Sequence, residues 1–546
     1  MDKIKKLLNK YSCAKAFKPC AFFLCAFLFS FFLFSTAYAA NIIHIKTVEW
    51  IGLDKIAEAN ISKQTLDSIV QTKLRKSNNK VSQEELFAIV DAVTIHFRDN
   101  GYKFTTAYLP EQNLSKGKLK IAILEGKLGD IQFPNEKRDF VKNSIRFVFS
   151  DLIGKPVYEP DFAKRIDLLN SDPRTKVFGF FSRGSNTGEA RVNFKVKRFD
   201  RWQLLASIDN FGTPATGKNR VNLKGAFFSP LNRLDTLMAG LIYTRGENSE
   251  EGSESSAYGY LAYELPLWNL SNRLTFYAGN NLFDIGGDFD SLELEGNSKV
   301  GVLGFSHDFE MNNRLSTSLR IIDTDYQSSL NSPQIEPDEE ELGLSINWQL
   351  SIPSETGLSV ISTNIGYVGG NFNNDQSNED ITFSKTEFKL DAYTLLAAKS
   401  RFANQWHFSL KGQYASKLLP NAERRSLTGI SGIRAIEAGY FSGDNTAHCA
   451  IELRFPHLFG INNLFGINNK WRLQPVIFVD GVYGEKISDD AILDRIHASG
   501  AGIGFELNGY QQFYANIYAM DLIESYSKSN SIPDKMQALA TIGISF

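Results

Sequence analysis

The stretch "WHFSLKGQY", Trp406 to Tyr414, alternates without a break. In an extended strand successive side chains point to opposite sides, so Trp406, Phe408, Leu410, Gly412 and Tyr414 share one face. His407, Ser409, Lys411 and Gln413 share the other. One face suits an apolar surround and the other suits water. A soluble sandwich and a membrane barrel both show such a pattern, so its surroundings must decide between them.

Working outward, the same alternation recurs from Arg201 to Phe546 in about sixteen segments of roughly 9 to 11 residues, with polar turns between and no useful helical run. Three features favour the membrane. The chain carries an export signal but no spanning helix, and a closed barrel is the other way to satisfy backbone groups in lipid. Its connections alternate in length, the long polar ones including "TRGENSEEGSESS", "DTDYQSSLNSPQIEPDEEE" and "GGNFNNDQSNEDI", which suit an exterior face. The last segment, "QALATIGISF", sets Ala538, Ala540, Ile542, Ile544 and Phe546 on one face and ends on an aromatic. A composition with 42 Phe, 20 Tyr and 41 Gly but only 4 Cys in 546 residues also suits strands better than helices.

The export signal lies in residues 1–39. Lys3, Lys5, Lys6, Lys10, Lys15 and Lys18 precede the apolar run "AFFLCAFLFSFFLF", and Ala37-Tyr38-Ala39 supplies a cleavage site. That run is shorter than the roughly 20 residues a spanning helix needs. Cleavage removes six Lys and one Asp, so 59 basic and 61 acidic residues become 53 and 60, a formal charge of -7. Such a balance excludes a basic nucleic-acid surface. Only Cys449 survives cleavage, so no internal disulfide is expected.

Before residue 200 the pattern mixes short strands with helices. "IIHIKTVEWIG" reads as a strand and "SKQTLDSIVQTKLRK" as a helix, while Leu86, Ile89, Val90, Val93 and Phe97 recur at helical spacing until Asn100-Gly101 stops them. "KFTTAYLP" and "KLKIAILEG" follow as strands. A second unit of similar layout runs through the helices "RDFVKNSIRFVFSDLI" and "EPDFAKRIDLLNSD" to the strands "KVFGFFSRG" and "GEARVNFKVKRF".

At this point the residues resemble a known family. "GYKFTTAYLPEQNLSKGKLKIAILEGKLGDI" from Gly101 is similar to the end of the first POTRA domain of TpsB transporters of two-partner secretion, the haemolysin secretion and activation type. "IDNFGTPATGKNR", "FFSPLNRLD" and "LTGISGIRAIEAGYFSGDNTAHCAIELRFP" match further along in the family's order. The resemblance implies a mainly β chain: two POTRA domains, 40–126 and 127–199, in the periplasm ahead of a 16-stranded antiparallel transmembrane barrel over 200–546, with an inserted loop about 416–447. It implies a Gram-negative outer membrane and export of an unfolded TpsA-type protein, an adhesin or cytolysin, without ATP. The partners are then that client and outer-membrane lipid, with a monomeric barrel. Many relatives carry a pore-plugging helix, but "NIIHIKTVEW" starts almost at the cleavage site, so none is expected here.

The family's re-entrant loop carries a V/I-R-G/A-F/Y motif, which here reads Ile433-Arg434-Ala435-Ile436, without the aromatic. A charge deep in a barrel needs a partner or water, because a lone desolvated guanidinium is costly. In "QPVIFVDGVYG" alternation puts Val476, Phe478 and Asp480 on the lumen side, since lipid rejects a carboxylate. In "SGAGIGFELNG" it puts Gly500, Gly502, Gly504 and Glu506 there, leaving space for a loop against the wall. Phe478-x-Asp480 resembles the family motif that receives the arginine. Arg434 is therefore expected to pair with Asp480, with Glu506 close by, and its planar fork grips a carboxylate better than a lysine does. Gly429, Gly432, Gly439 and Gly443 read as the turns that let the loop re-enter.

No enzyme chemistry emerges. "GFSHD" has Asp308 where a nucleophile elbow needs glycine, the glycines at 500, 502 and 504 lie in a strand rather than a phosphate loop, and neither a metal site nor a cofactor motif is found. Two other functions share parts of the pattern. A barrel-assembly factor would share the arginine loop but usually differs in POTRA count, and a passive porin or adhesin would need neither N-terminal domain.

Overall fold

The computed structural model describes residues 42–546 apart from 53–60, 173, 247–254, 287–293, 311, 329–338, 375–380, 397–402, 457–458, 462–470, 489–490, 510–512, 530–531 and 533–534. The export signal and much of the three long polar connections lie outside the described residues. Among the described residues no helix is long and apolar enough to cross a membrane. Two compact units result. The first reaches to Leu128 and takes in Gly154–Glu159 and Gly184–Ala190; the second takes in Gly129–Ile153, Pro160–Arg183 and Arg191–Phe546.

In the first unit the helices Lys63–Lys76 and Gln83–Asp99 accompany a sheet in which Lys118–Leu124 lies between Thr47–Ile51, parallel to it, and Thr106–Tyr108, antiparallel. The second helix starts where Ser82 and Glu85 form a capping box: the Ser82 hydroxyl accepts the Glu85 N–H at 3.2 Å and the Glu85 carboxylate accepts the Ser82 N–H at 2.8 Å. All five apolar positions at helical spacing, Leu86 to Phe97, are buried. They pack with Leu66, Val70, Leu119 and Ile121.

Beyond the strand Lys127–Gln132 come two helices, Asp139–Phe149 and Glu159–Ser171. They accompany a three-stranded sheet in which Glu189–Phe199 is central and Thr175–Arg183 is an edge. Aromatic rings of Phe149, Phe162 and Phe194 stack between these layers, with centroids 4.8–5.5 Å apart.

The rest is a closed antiparallel barrel of sixteen strands, the twelfth of which, Asn445–Arg454, resumes as Phe459–Ile461 on the same partner. Trp202–Asp209 opens it and Gln537–Ser545 closes it, with Asp209 opposite Thr541 and Leu205 opposite Ser545. Closure leaves no open edge. Strands run from 8 residues to 18, so many exceed the 9 to 11 that an apolar band alone requires. Backbone pairing needs no apolar pattern, and it continues into polar ends such as Glu339–Glu341 opposite Phe372–Asn374. The alternation read from the sequence is present in the strand Asn404–Ala415, where Ser409 and Gln413 are buried while Trp406 and Tyr414 are exposed. Ile321, Leu344, Ile365, Ile477, Ile503 and Ile542 form part of an exposed apolar exterior far larger than a water-soluble monomer carries.

Candidate functional site: the loop arginine and its wall

The segment between the strands Asn404–Ala415 and Asn445–Arg454 folds back into the barrel. Leu427, Ile433, Ala435, Ile436 and Phe441 are buried against Val476, Phe478, Val482, Ile496 and Ala498 on the inner wall. Ile436, at the position where the family's aromatic is missing, thus fills an apolar niche.

Among the glycines expected to turn this loop, Gly429 has φ +76°, where a side chain would be strained, and its N–H donates to the carbonyls of Ile433 at 3.1 Å and Ile436 at 2.9 Å. Gly439 is the other such turn, at φ +84°. Gly432 and Gly443 serve close approach instead: a Cβ would lie 1.9 Å from the Leu427 carbonyl oxygen in one case and 2.9 Å from that of Glu485 in the other.

Arg434 is 7% exposed. Its Nε and Nη2 donate to the two Asp480 oxygens at 2.7 and 2.6 Å, and its backbone N–H donates to the same carboxylate at 3.2 Å. Its Nη1 donates to Glu452 at 2.8 Å, and the guanidinium lies over the Phe478 ring, 3.5 Å from the centroid. The fork is therefore gripped on two sides and faced by a π-system. Register explains the grouping, because Ala450 pairs with Asp480 and Glu452 with Phe478 across the wall.

Glu506 does not reach Arg434 in this arrangement. It pairs with Arg454 at 3.4 Å and accepts the Tyr518 hydroxyl at 2.9 Å, while Arg454 also meets Glu452 at 2.7 Å. The expected neighbour is thus one ion pair removed, because its inward-facing position lies further along the wall. Glu452 stands in its place, brought opposite Phe478 by the pairing of the two strands. His407 extends the chain, with one ring nitrogen 3.3 Å from Glu452 and the other 3.2 Å from Asp391.

The three lumen glycines divide the work of clearing space. Only Gly500 receives the loop, since a Cβ there would sit 2.8 Å from that of Ala435. A Cβ on Gly502 would strike the Phe478 ring at 2.4 Å, and one on Gly504 the Tyr518 ring at 2.3 Å. These two glycines make room for the rings beneath the ion pairs rather than for the loop.

Known proteins place this architecture. A family model described as haemolysin secretion/activation protein ShlB/FhaC/HecB matches residues 188–507, and one described as POTRA domain, ShlB-type, matches 49–126. The heme/hemopexin transporter protein HuxB of Haemophilus influenzae (strain 86-028NP) is 24% identical over 425 residues, 74% of this chain and 71% of the relative. The outer membrane transporter CdiB of Escherichia coli is 24% identical over 419 residues, 74% and 68% of the two chains. In fold, the solved structure of CdiB from Escherichia coli superposes with a TM-score of 0.71 at 18% identity, covering 94% of this chain and 92% of that one. The chain belongs to the haemolysin secretion/activation protein ShlB/FhaC/HecB family, the outer-membrane translocators of two-partner secretion, whose POTRA domains face the periplasm.

Proposed function

We propose that the loop at about 416–447 is the gate of this translocator and that Arg434 on Asp480 and Glu452 is its latch. The bidentate pair inside the lumen carries this reading. Breaking one partner leaves an uncompensated buried charge, at about 3–5 kcal/mol, so the loop stays in place until something displaces it. Residues 40–126 and 127–199 act as two POTRA domains that receive an unfolded TpsA-type client in the periplasm. The edge strand Thr175–Arg183, with Phe178 and Phe180 exposed, offers backbone groups to an extended chain with little demand on its sequence. Folding of the client outside makes return unfavourable, so export proceeds without ATP, by a monomeric barrel. The leader at 1–39 directs the chain to export.

The test exchanges the charges. Arg434→Asp and Asp480→Arg should each lose export while the barrel still inserts, and the double variant should recover a measurable share of it. Failure to recover, with all three proteins inserted, would count against the latch. Deleting residues 42–197 separates this reading from a passive porin, which would keep its conductance and its function.

A further inference from the structure

The re-entrant loop is held at a second place. Ahead of the buried tip, residues 427–441, lies a root that reaches a different part of the wall. Leu419 is buried with Val368, Phe372, Phe383 and Ala415. The Glu423 side chain is 1% exposed and meets Lys385 at 2.6 Å and Arg320. Lys385 also reaches the Glu423 carbonyl at 2.9 Å, Gln413 at 3.1 Å and Glu387 at 2.7 Å, and Arg320 is shared with Glu341 at 3.0 Å. Asp444, fully buried, then ties the root to the wall: it accepts the Leu419 N–H at 3.0 Å, Arg424 Nε at 3.3 Å and the Ile487 N–H at 2.9 Å.

The two ion-pair clusters sit on different strands, although Asp444 also reaches Ile487 on Trp471–Ser488, a strand that carries the tip. The tip lies on Asn445–Arg454, Trp471–Ser488 and Ala491–Asn508; the root cations come from Asn313–Ser328 and Ile381–Leu396, with Glu341 on Glu339–Pro353 between them. Their charge balance is the same, since at the tip Arg434 and Arg454 stand against Asp480, Glu452 and Glu506. The root sets Arg320 and Lys385 against Glu341, Glu387 and Glu423, so losing Lys385 leaves three carboxylates facing one guanidinium. Between root and tip lie residues 424–426, of which Arg425 and Ser426 pair with Gly443 and Ser442, so the tip is a hairpin that can swing as one piece on the root.

We infer that Glu423, Lys385 and Arg320 are positioning residues that anchor the loop root while the tip opens, so that the gate pivots on this cluster instead of leaving the barrel. The inference rests on the latch reading of Arg434, and its test keeps the two apart. In a Cys449→Ser background, a short bis-maleimide can join either of two polar contacts outside both clusters: Lys218 with Glu437 at the tip, 2.8 Å apart, or Glu339 with Asn421 at the root, 3.3 Å apart, each pair replaced by cysteines. Joining the tip should abolish export. Joining the root should leave it at the level of the untreated variant. Export lost on joining the root overturns the anchor alone, and export retained on joining the tip overturns both the latch and the pivot.

A second measurement needs no cross-link. In an Arg434→Asp background, where the tip is unlatched, Lys385→Met should raise single-channel conductance further as the loop leaves the lumen, and Lys385→Arg should restore the value of Arg434→Asp alone. A purely structural role would lower the yield of inserted barrel and leave the conductance of each inserted channel unchanged, which overturns the proposal.

Discussion

The first unit and the barrel wall place the same residue types in opposite ways. Between Lys63 and Asp99, Leu66, Val70, Val93 and Phe97 are hidden from solvent. Along the barrel, Ile365, Ile477 and Ile503 are 44–56% exposed and the lumen side takes Asn364, Asp480 and Glu506. Apolar periodicity thus fixes which residues share a face, while the surrounding medium decides whether that face turns in or out. The buried loop tip combines both arrangements, a small dry core inside a polar lumen.

The largest effect on this contrast should come from the first unit. Phe97→Ala removes a ring with no exposed surface and should destabilise that unit by about 3–5 kcal/mol. Hydrogen exchange across residues 63–99 of the full chain reads it; unchanged protection would mean that this core does not hold the helices. The wall should respond to direction rather than burial. Ile365→Lys, facing lipid near the middle of the strand Ser359–Asn374, should destabilise the barrel by about 2–4 kcal/mol. Asn364→Lys, next to it but turned to the lumen, should change stability by about 0.5 kcal/mol or less. Unfolding in lipid vesicles measures both, and equal losses would erase the inside–outside distinction.

Sequence patterns carried much of this because each face repeats along its own segment. Helical spacing from Leu86 to Phe97 and alternation from Trp406 to Tyr414 are local properties, and Asp480 faces inward because no lipid-facing site accepts it. The partner of Arg434 depends instead on strand register, which relates residues far apart in sequence. Glu452 comes opposite Phe478 through the pairing of two strands, and a shift of one residue would turn it outward. Glu506 has the right face and the wrong depth. The rings filling the space above Gly502 and Gly504, and the convergence of Arg320 and Lys385 on Glu423, likewise need strand neighbours that no single segment announces.

The smallest effect isolates a signal that was local and complete in the letters. Ser82-x-x-Glu85 closes a reciprocal pair of hydrogen bonds at the start of Gln83–Asp99, satisfying two backbone donors that the helix leaves open. Ser82→Ala should lose about 1 kcal/mol, and Ser82→Asp should retain most of it because a carboxylate also accepts the Glu85 N–H. The loss should raise exchange in the first turn of this helix and leave the barrel untouched, since the cap lies in the other compact unit. Equal exchange in Ser82→Ala and the parent would show that packing of Leu86 and Ile89 alone sets where the helix begins.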